Sequence, residues 1–194
     1  MHFTLADLVT DITQNGCESG AKLVELEVRE TDKEFRFVVR DNGKGMTKEQ
    51  LAHALDPFVT DGVKHPHRKV GLGLPFLIQT AEQSGGGWDM QSEKGKGTTA
   101  TAWFDTGNVD TPPVGDLPSM FRSILMFDGP EEIVIIRSRH LEGEAVGGKP
   151  PLDYEVRKTE LVDALGSFED TGALVLLNKY LRSLEFDEDD EEEE

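Results

Sequence analysis

Apolar residues along this 194-residue chain follow two rhythms, and the switches between them mark out its elements. Leu5, Leu8, Val9 and Ile12 recur at helical spacing, with Thr4 and Asp7 placed as a cap of the S/T-x-x-D type, and the pattern lapses near Gly20. From Leu23 to Arg29 the period drops to two, with Val24, Leu26 and Val28 on one face; Glu34 to Arg40 repeats it with Phe35, Phe37 and Val39. The short link Glu30-Thr31-Asp32-Lys33 makes these two strands an antiparallel pair. A helix is predicted from Thr47 to Leu55, a loop broken by Pro57 and Pro66 follows, and a second apolar helix runs from Leu74 to Ser84. Gly85 to Gly87 end it, and two extended runs, Trp88 to Ser92 and Thr98 to Phe104, flank a turn.

Periodicity then fails where Gly, Pro, Asn, Asp and Thr crowd between Asp105 and Pro118. The division read from this is a first domain over 1–106, a linker over 107–118, a small α/β extension over 119–184 and a disordered acidic tail over 185–194. Within the extension a helix is expected over Leu117 to Phe127, strands over Glu132 to Arg139 and Tyr154 to Arg157, and two helical stretches up to Leu184. The strand at 132–139 could either extend the main sheet or form a docking surface.

Charge narrows the partners. Lys and Arg number 20 against 38 Asp and Glu, a net charge of -18, which argues against nucleic acid or an anionic membrane surface as a partner for the molecule as a whole. Nine of those acids lie in residues 185–194. A single cysteine, Cys17, excludes an internal disulfide, the opening Met-His-Phe-Thr lacks the features of a signal peptide, and no run approaches a membrane span. A cytoplasmic protein is the expectation.

Four segments carry candidate chemistry. Asp11 and Asn15 stand at i and i+4 on the first helix, where the amide oxygen can ligate Mg²⁺ and the carboxylate can orient water or accept a proton; taken alone, the pair is better explained as a solvated polar face. Asp41, Gly43, Gly45 and Met46 leave the second strand, where a carboxylate can accept a hydrogen bond from an exocyclic amine such as adenine N6; the same Asp-Asn-Gly is also a common turn. Gly71, Leu72, Gly73 and Leu74 open a helix, the arrangement in which free N–H groups and the helix dipole hold phosphate. The loop before them concentrates Lys64, Arg68 and Lys69, and its His65 and His67 lack the further ligands a metal site needs. Gly95-Lys-Gly97-Thr98-Thr99 turns into a strand.

Taken together and in this order, Asn15, Asp41 to Gly45, Pro57-Phe58, Gly71 to Leu74 and Gly95 to Thr99 resemble the N, G1, F, G2 and G3 boxes of the gyrase, Hsp90, histidine kinase and MutL (GHKL) family, over about Leu5 to Phe104. The resemblance implies an α+β fold, a two-layer α/β sandwich of the Bergerat type with helices on one face of a mixed sheet. It also implies ATP or ADP as ligand with Mg²⁺ as cofactor: Asn15 on the metal, Asp41 on adenine, Phe58 in the F box, Gly71 to Leu74 under the phosphates with Lys64, Arg68 and Lys69 in the lid before them, and Thr99 near Asp41. Asp11 is the candidate for activating the attacking nucleophile.

Two departures shape the functional expectation. Glu18 stands where histidine kinases usually carry a phosphate-facing Lys, and Asp11 stands where gyrase, MutL and Hsp90 carry a Glu. No histidine-bearing hairpin precedes the first motif, and His140 follows a strand. The expected function is therefore a stand-alone kinase or regulatory phosphotransferase acting on a separate protein, engaged through residues 119–194. A nucleotide-sensing module without catalysis and a slow ATPase clamp of MutL type are the alternatives.

Overall fold

The computed structural model describes residues 3–56, 73–140 and 151–186. Helix α1 spans Leu5–Glu18 and buries Leu5, Leu8, Val9 and Ile12 as their spacing predicts. Its start is a complete capping box, with Thr4 N–H donating to Asp7 Oδ2 at 2.8 Å and Asp7 N–H to the Thr4 hydroxyl at 3.3 Å. Strands β1 (Leu23–Glu30) and β2 (Glu34–Asp41) pair antiparallel from Val24 opposite Asp41 to Glu30 opposite Phe35. Helices α2 (Lys48–Leu55) and α3 (Gly73–Gln83) precede a hairpin of β3 (Gly87–Glu93) and β4 (Gly97–Asp105). The chain continues through α4 (Leu117–Leu125), β5 (Glu132–Arg139), β6 (Leu152–Arg157), α5 (Lys158–Leu165) and α6 (Thr171–Glu185).

The six strands form one mixed sheet in the order β3-β4-β2-β1-β5-β6, antiparallel except where β1 runs parallel to β5. Alternation sends Val24, Leu26, Val28, Phe35, Phe37, Val39, Ala100, Ala102, Phe104, Ile133 and Ile135 into one core beneath the helices. The reverse face carries charge. Arg40 spans Glu25 and Glu27 at 2.7 and 3.0 Å, and Arg36 stacks its guanidinium 5.0 Å from the Trp103 ring. Burial of Glu27 opposes its ionisation, but hydrogen bonds from Arg40 and Arg29 outweigh that and lower its pKa.

The expected α+β, two-layer architecture is therefore present, and β5 settles the open alternative by extending the main sheet. It lies against β1 in register from Leu23 opposite Glu132 to Glu30 opposite Arg139. The segment expected as a linker packs against the first helix, because the Pro113 and Val114 carbonyls accept the N–H groups of Leu5 and Ala6 at 2.9 Å each. Leu117 and Pro118, at the end of that segment, already belong to α4, whose first turn is capped by Asp116.

The acidic run also begins differently from its expected boundary. Glu185 is the last residue of α6 and is buried, its carboxylate receiving Arg137 Nε at 2.9 Å and the Tyr154 hydroxyl at 2.6 Å on Oε1. On Oε2 it meets Arg137 and Arg139, both at 3.4 Å. Arg137 also pairs with Glu30, at 2.5 Å. Among the described residues no helix is long and apolar enough to cross a membrane.

Candidate functional site

The exposed Asp11 and Asn15 of α1 and its half-buried C-cap, Ser19, stand at successive intervals of four, one stripe along the helix. At its upper end Asp11 lies beside the first residue of α3: a Cβ added to Gly73 would stand 3.7 Å from Asp11 Cβ and 3.9 Å from its Oδ2. At its lower end the Ser19 hydroxyl donates to Asp41 Oδ1 at 3.0 Å. Eight helical residues rise about 12 Å, so the stripe runs from a helix N-terminus to the carboxylate at the end of β2. An extended nucleotide, phosphates at one end and base at the other, can bridge that distance.

Asp41 is held from two sides. Its Oδ1 accepts the Gly43 N–H at 2.8 Å as well as the Ser19 hydroxyl, an Asx turn fastened to the end of α1. Asn42 ties the same loop to the start of β1, its Oδ1 accepting the Lys22 and Leu23 N–H groups at 2.9 and 3.0 Å. Two glycines let this loop meet the β3–β4 turn. Gly45 has φ +55° and a Cβ there would stand 2.0 Å from the Glu93 carbonyl oxygen, while at Gly97, φ +116°, it would stand 1.9 Å from that of Asp41. The Met46 N–H closes the junction on Ser92 Oγ at 2.9 Å.

Asp41, Ser92, Lys96 and Thr98 line a hollow of about 340 Å³, within the size range of small-molecule sites. Thr99 lines the same hollow, but it is Thr98 that stands directly across from Asp41. In the β2–β4 register Thr98 stands opposite Asp41 and Thr99 opposite Arg40. Successive side chains on a strand point to opposite faces, so Thr98 shares the Asp41 face and Thr99 the reverse. Thr98 Oγ1 lies 2.9 Å from Ser92 Oγ, within the same polar group. Sequence reading missed Ser19 and Ser92 altogether. Only the i+4, i+8 spacing from Asp11 would have singled out Ser19.

The structure thus brings Asp41, Gly43, Gly45 and Met46 together at one end of the cleft, and Asp11, Gly73 and the half-buried Leu74 at the other, with the exposed Asn15 between on α1. Phe58, Lys64, Arg68, Lys69, Gly71 and Leu72 lie outside the described residues. Cys17, on the buried side of α1, is unsuited to nucleophilic work, since burial pushes its thiol up to about 11. Among the described residues no three His, Cys, Asp or Glu side chains gather into a metal site. The exposed Asn15 offers an amide oxygen, a donor of the kind Mg²⁺ takes beside waters and substrate phosphates.

Residues 3–108 match the family model for histidine kinase-, DNA gyrase B-, and HSP90-like ATPases, more than half of the chain. Sensor histidine kinase ZraS of Escherichia coli is 29% identical over 93 residues, 48% of this chain and 19% of that protein. Sporulation kinase D of Bacillus subtilis is 33% identical over 100 residues, 50% of this chain and 19% of its own length. Sporulation kinase C of the same organism is 30% identical over 96 residues, 48% of this chain and 22% of the kinase. The chain spans about a fifth of the length of these curated relatives.

Proposed function

This chain belongs to the histidine kinase-, DNA gyrase B-, and HSP90-like ATPase family, and we propose that it binds MgATP along the α1 stripe and passes the terminal phosphoryl group to a separate protein. One observation carries the reading: Asp11, Asn15 and Ser19 form a single row on α1 with the start of α3 at one end and Asp41 at the other. In this reading Asp41 accepts the adenine amine. Backbone N–H groups at the start of α3 receive the phosphates, where the helix dipole favours negative charge. Asn15 holds Mg²⁺ through its amide oxygen, and the ion supplies the charge neutralisation that phosphoryl transfer requires. The cleft margin itself is acidic, with Asp11 and Glu18 both exposed on α1. The metal and the lid cations Lys64, Arg68 and Lys69 therefore have to offset the triphosphate.

In this reading Asp11, one helical turn before Asn15 and against Gly73, takes a proton from the attacking nucleophile. A separate acceptor is favoured by His140, which pairs with Asp153 at the end of β1 remote from Asp41, roughly 20 Å of strand away. Residues 119–194 are the proposed docking region for that acceptor. The test is incubation of γ-labelled ATP with candidate partners. Label on a partner supports transfer, free phosphate alone points to the hydrolytic clamp, and neither product alongside saturable binding points to a sensor. Asp11→Asn is expected to keep MgATP affinity within about threefold while removing a hundred- to ten-thousandfold of the rate. Turnover at the wild-type rate would take the role away from Asp11.

A further inference from the structure

The Asp41 carboxylate is anchored asymmetrically, and the anchor is a side chain from another element. Both of its described partners bind Oδ1: the Gly43 N–H at 2.8 Å, from its own turn, and the Ser19 hydroxyl at 3.0 Å, from the C-terminal end of α1. Ser19 also accepts the Lys44 N–H through its carbonyl at 3.2 Å, so one residue fixes both the carboxylate and the loop that follows it. The fit leaves no slack. A Cβ at Gly43 would stand 1.9 Å from Ser19 Oγ and 2.9 Å from Asp41 Oδ1.

We propose that Ser19 is a positioning residue that sets base selectivity, by holding Asp41 Oδ1 so that Oδ2, which has no hydrogen-bond partner among the described residues, is presented as a fixed acceptor. The inference rests on the nucleotide reading above. A fixed acceptor pairs with the exocyclic amine of adenine and repels the carbonyl that guanine and hypoxanthine carry at the same ring position. A carboxylate freed of the serine can rotate, giving up part of its bond to the amine and relieving part of its repulsion of the carbonyl. Ser19 therefore acts on the ratio of affinities as well as on the affinity for ATP. The turn alone cannot do this, because a single N–H on Oδ1 leaves rotation about the Cβ–Cγ bond open.

The test measures binding of ATP, GTP and ITP by calorimetry on the full chain, with amide hydrogen exchange at Gly43 in the nucleotide-free protein. Ser19→Ala is expected to weaken ATP about tenfold, the size of one lost hydrogen bond to a charged group. GTP and ITP should change less than threefold, narrowing the preference for ATP, and the Gly43 N–H should exchange faster. Ser19→Thr, which keeps the hydroxyl, should retain the wild-type preference; equal loss in both variants would overturn the proposal. Gly43→Ala should reproduce the Ser19→Ala pattern by displacing the hydroxyl. An unchanged ATP:GTP ratio in folded Ser19→Ala, when the wild type prefers ATP, would overturn the role of Ser19 and leave the nucleotide site standing. A wild-type chain that binds none of the three nucleotides would sink the site itself, and this inference with it.

Discussion

Two carboxylates, Asp41 at one end of the sheet and Glu185 at the other, show how the same group becomes a candidate site in one place and a structural clasp in another. Every described partner of Asp41 binds one oxygen, and its neighbours are backbone amides and hydroxyls beside an open hollow. Glu185 has both oxygens occupied by Arg137, Arg139 and Tyr154, and the two guanidiniums are 0% and 1% exposed. Coulombic attraction and hydrogen bonds from Glu185 outweigh the burial that would otherwise lower the pKa of Arg137, while Tyr154 is driven far above its usual range, chiefly by burial. Among the described residues, free acceptor capacity distinguishes the two regions. A carboxylate with an oxygen to spare can recognise a ligand, and one without can only hold the chain together.

Breaking the clasp should have the largest effect on stability. Glu185→Ala leaves two buried guanidiniums short of their shared partner and is expected to cost about 3–5 kcal/mol in urea unfolding. Truncation after Leu184 should cost the same and truncation after Phe186 almost nothing. A loss below about 1 kcal/mol for Glu185→Ala would put this carboxylate in the same class as Asp41. At the other end, Asp41→Asn should barely move stability yet lower ATP affinity ten- to a hundredfold, about 1.5–3 kcal/mol, because an amide can turn N–H₂ toward the adenine amine. Unchanged affinity by calorimetry would remove the account of the base pocket.

A smaller effect sharpens the contrast across α1 itself, between its exposed stripe and its buried side. The Cys17 thiol titrates at about 11 in the fold against 9.0 for the unperturbed group, so the folded state keeps a proton that the unfolded chain gives up. Its contribution to stability is complete below about pH 9 and lost as pH climbs toward 11. Cys17→Ala should flatten that part of the pH profile; an unaltered alkaline slope would show that the loss arises elsewhere.

The sheet's first half was legible because its signal is local. Alternation in Leu23 to Arg29 and Glu34 to Arg40 fixes both the strands and the face each buries, and a short link dictates antiparallel pairing. Strand β5 was legible as a strand, but its neighbour was not, since a parallel partner distant in sequence leaves no local mark. Arg137 and Arg139 take on a role only once Glu30, Tyr154 and Glu185 are brought around them. Glu185 itself was hidden inside an acidic run. At the site the glycines and Asp41 announced themselves by motif, whereas Thr98 and Thr99 can be told apart only by the register of β4 on β2. Ser19 and Ser92 have chemistry too common to stand out before the loops close on them.

The parallel seam between β1 and β5 also sets the order in which the chain can become itself. The β1–β2 and β3–β4 hairpins close short loops and can form early, but the seam joins Leu23 to Glu132 and can close only after the intervening chain has found its place. Until then the apolar edge of β1, with Val24, Leu26 and Val28, stands unpaired, a template for any other extended chain. During synthesis the nucleotide-binding half emerges with that edge bare, so it is β5, arriving from outside the family-matched region, that covers it.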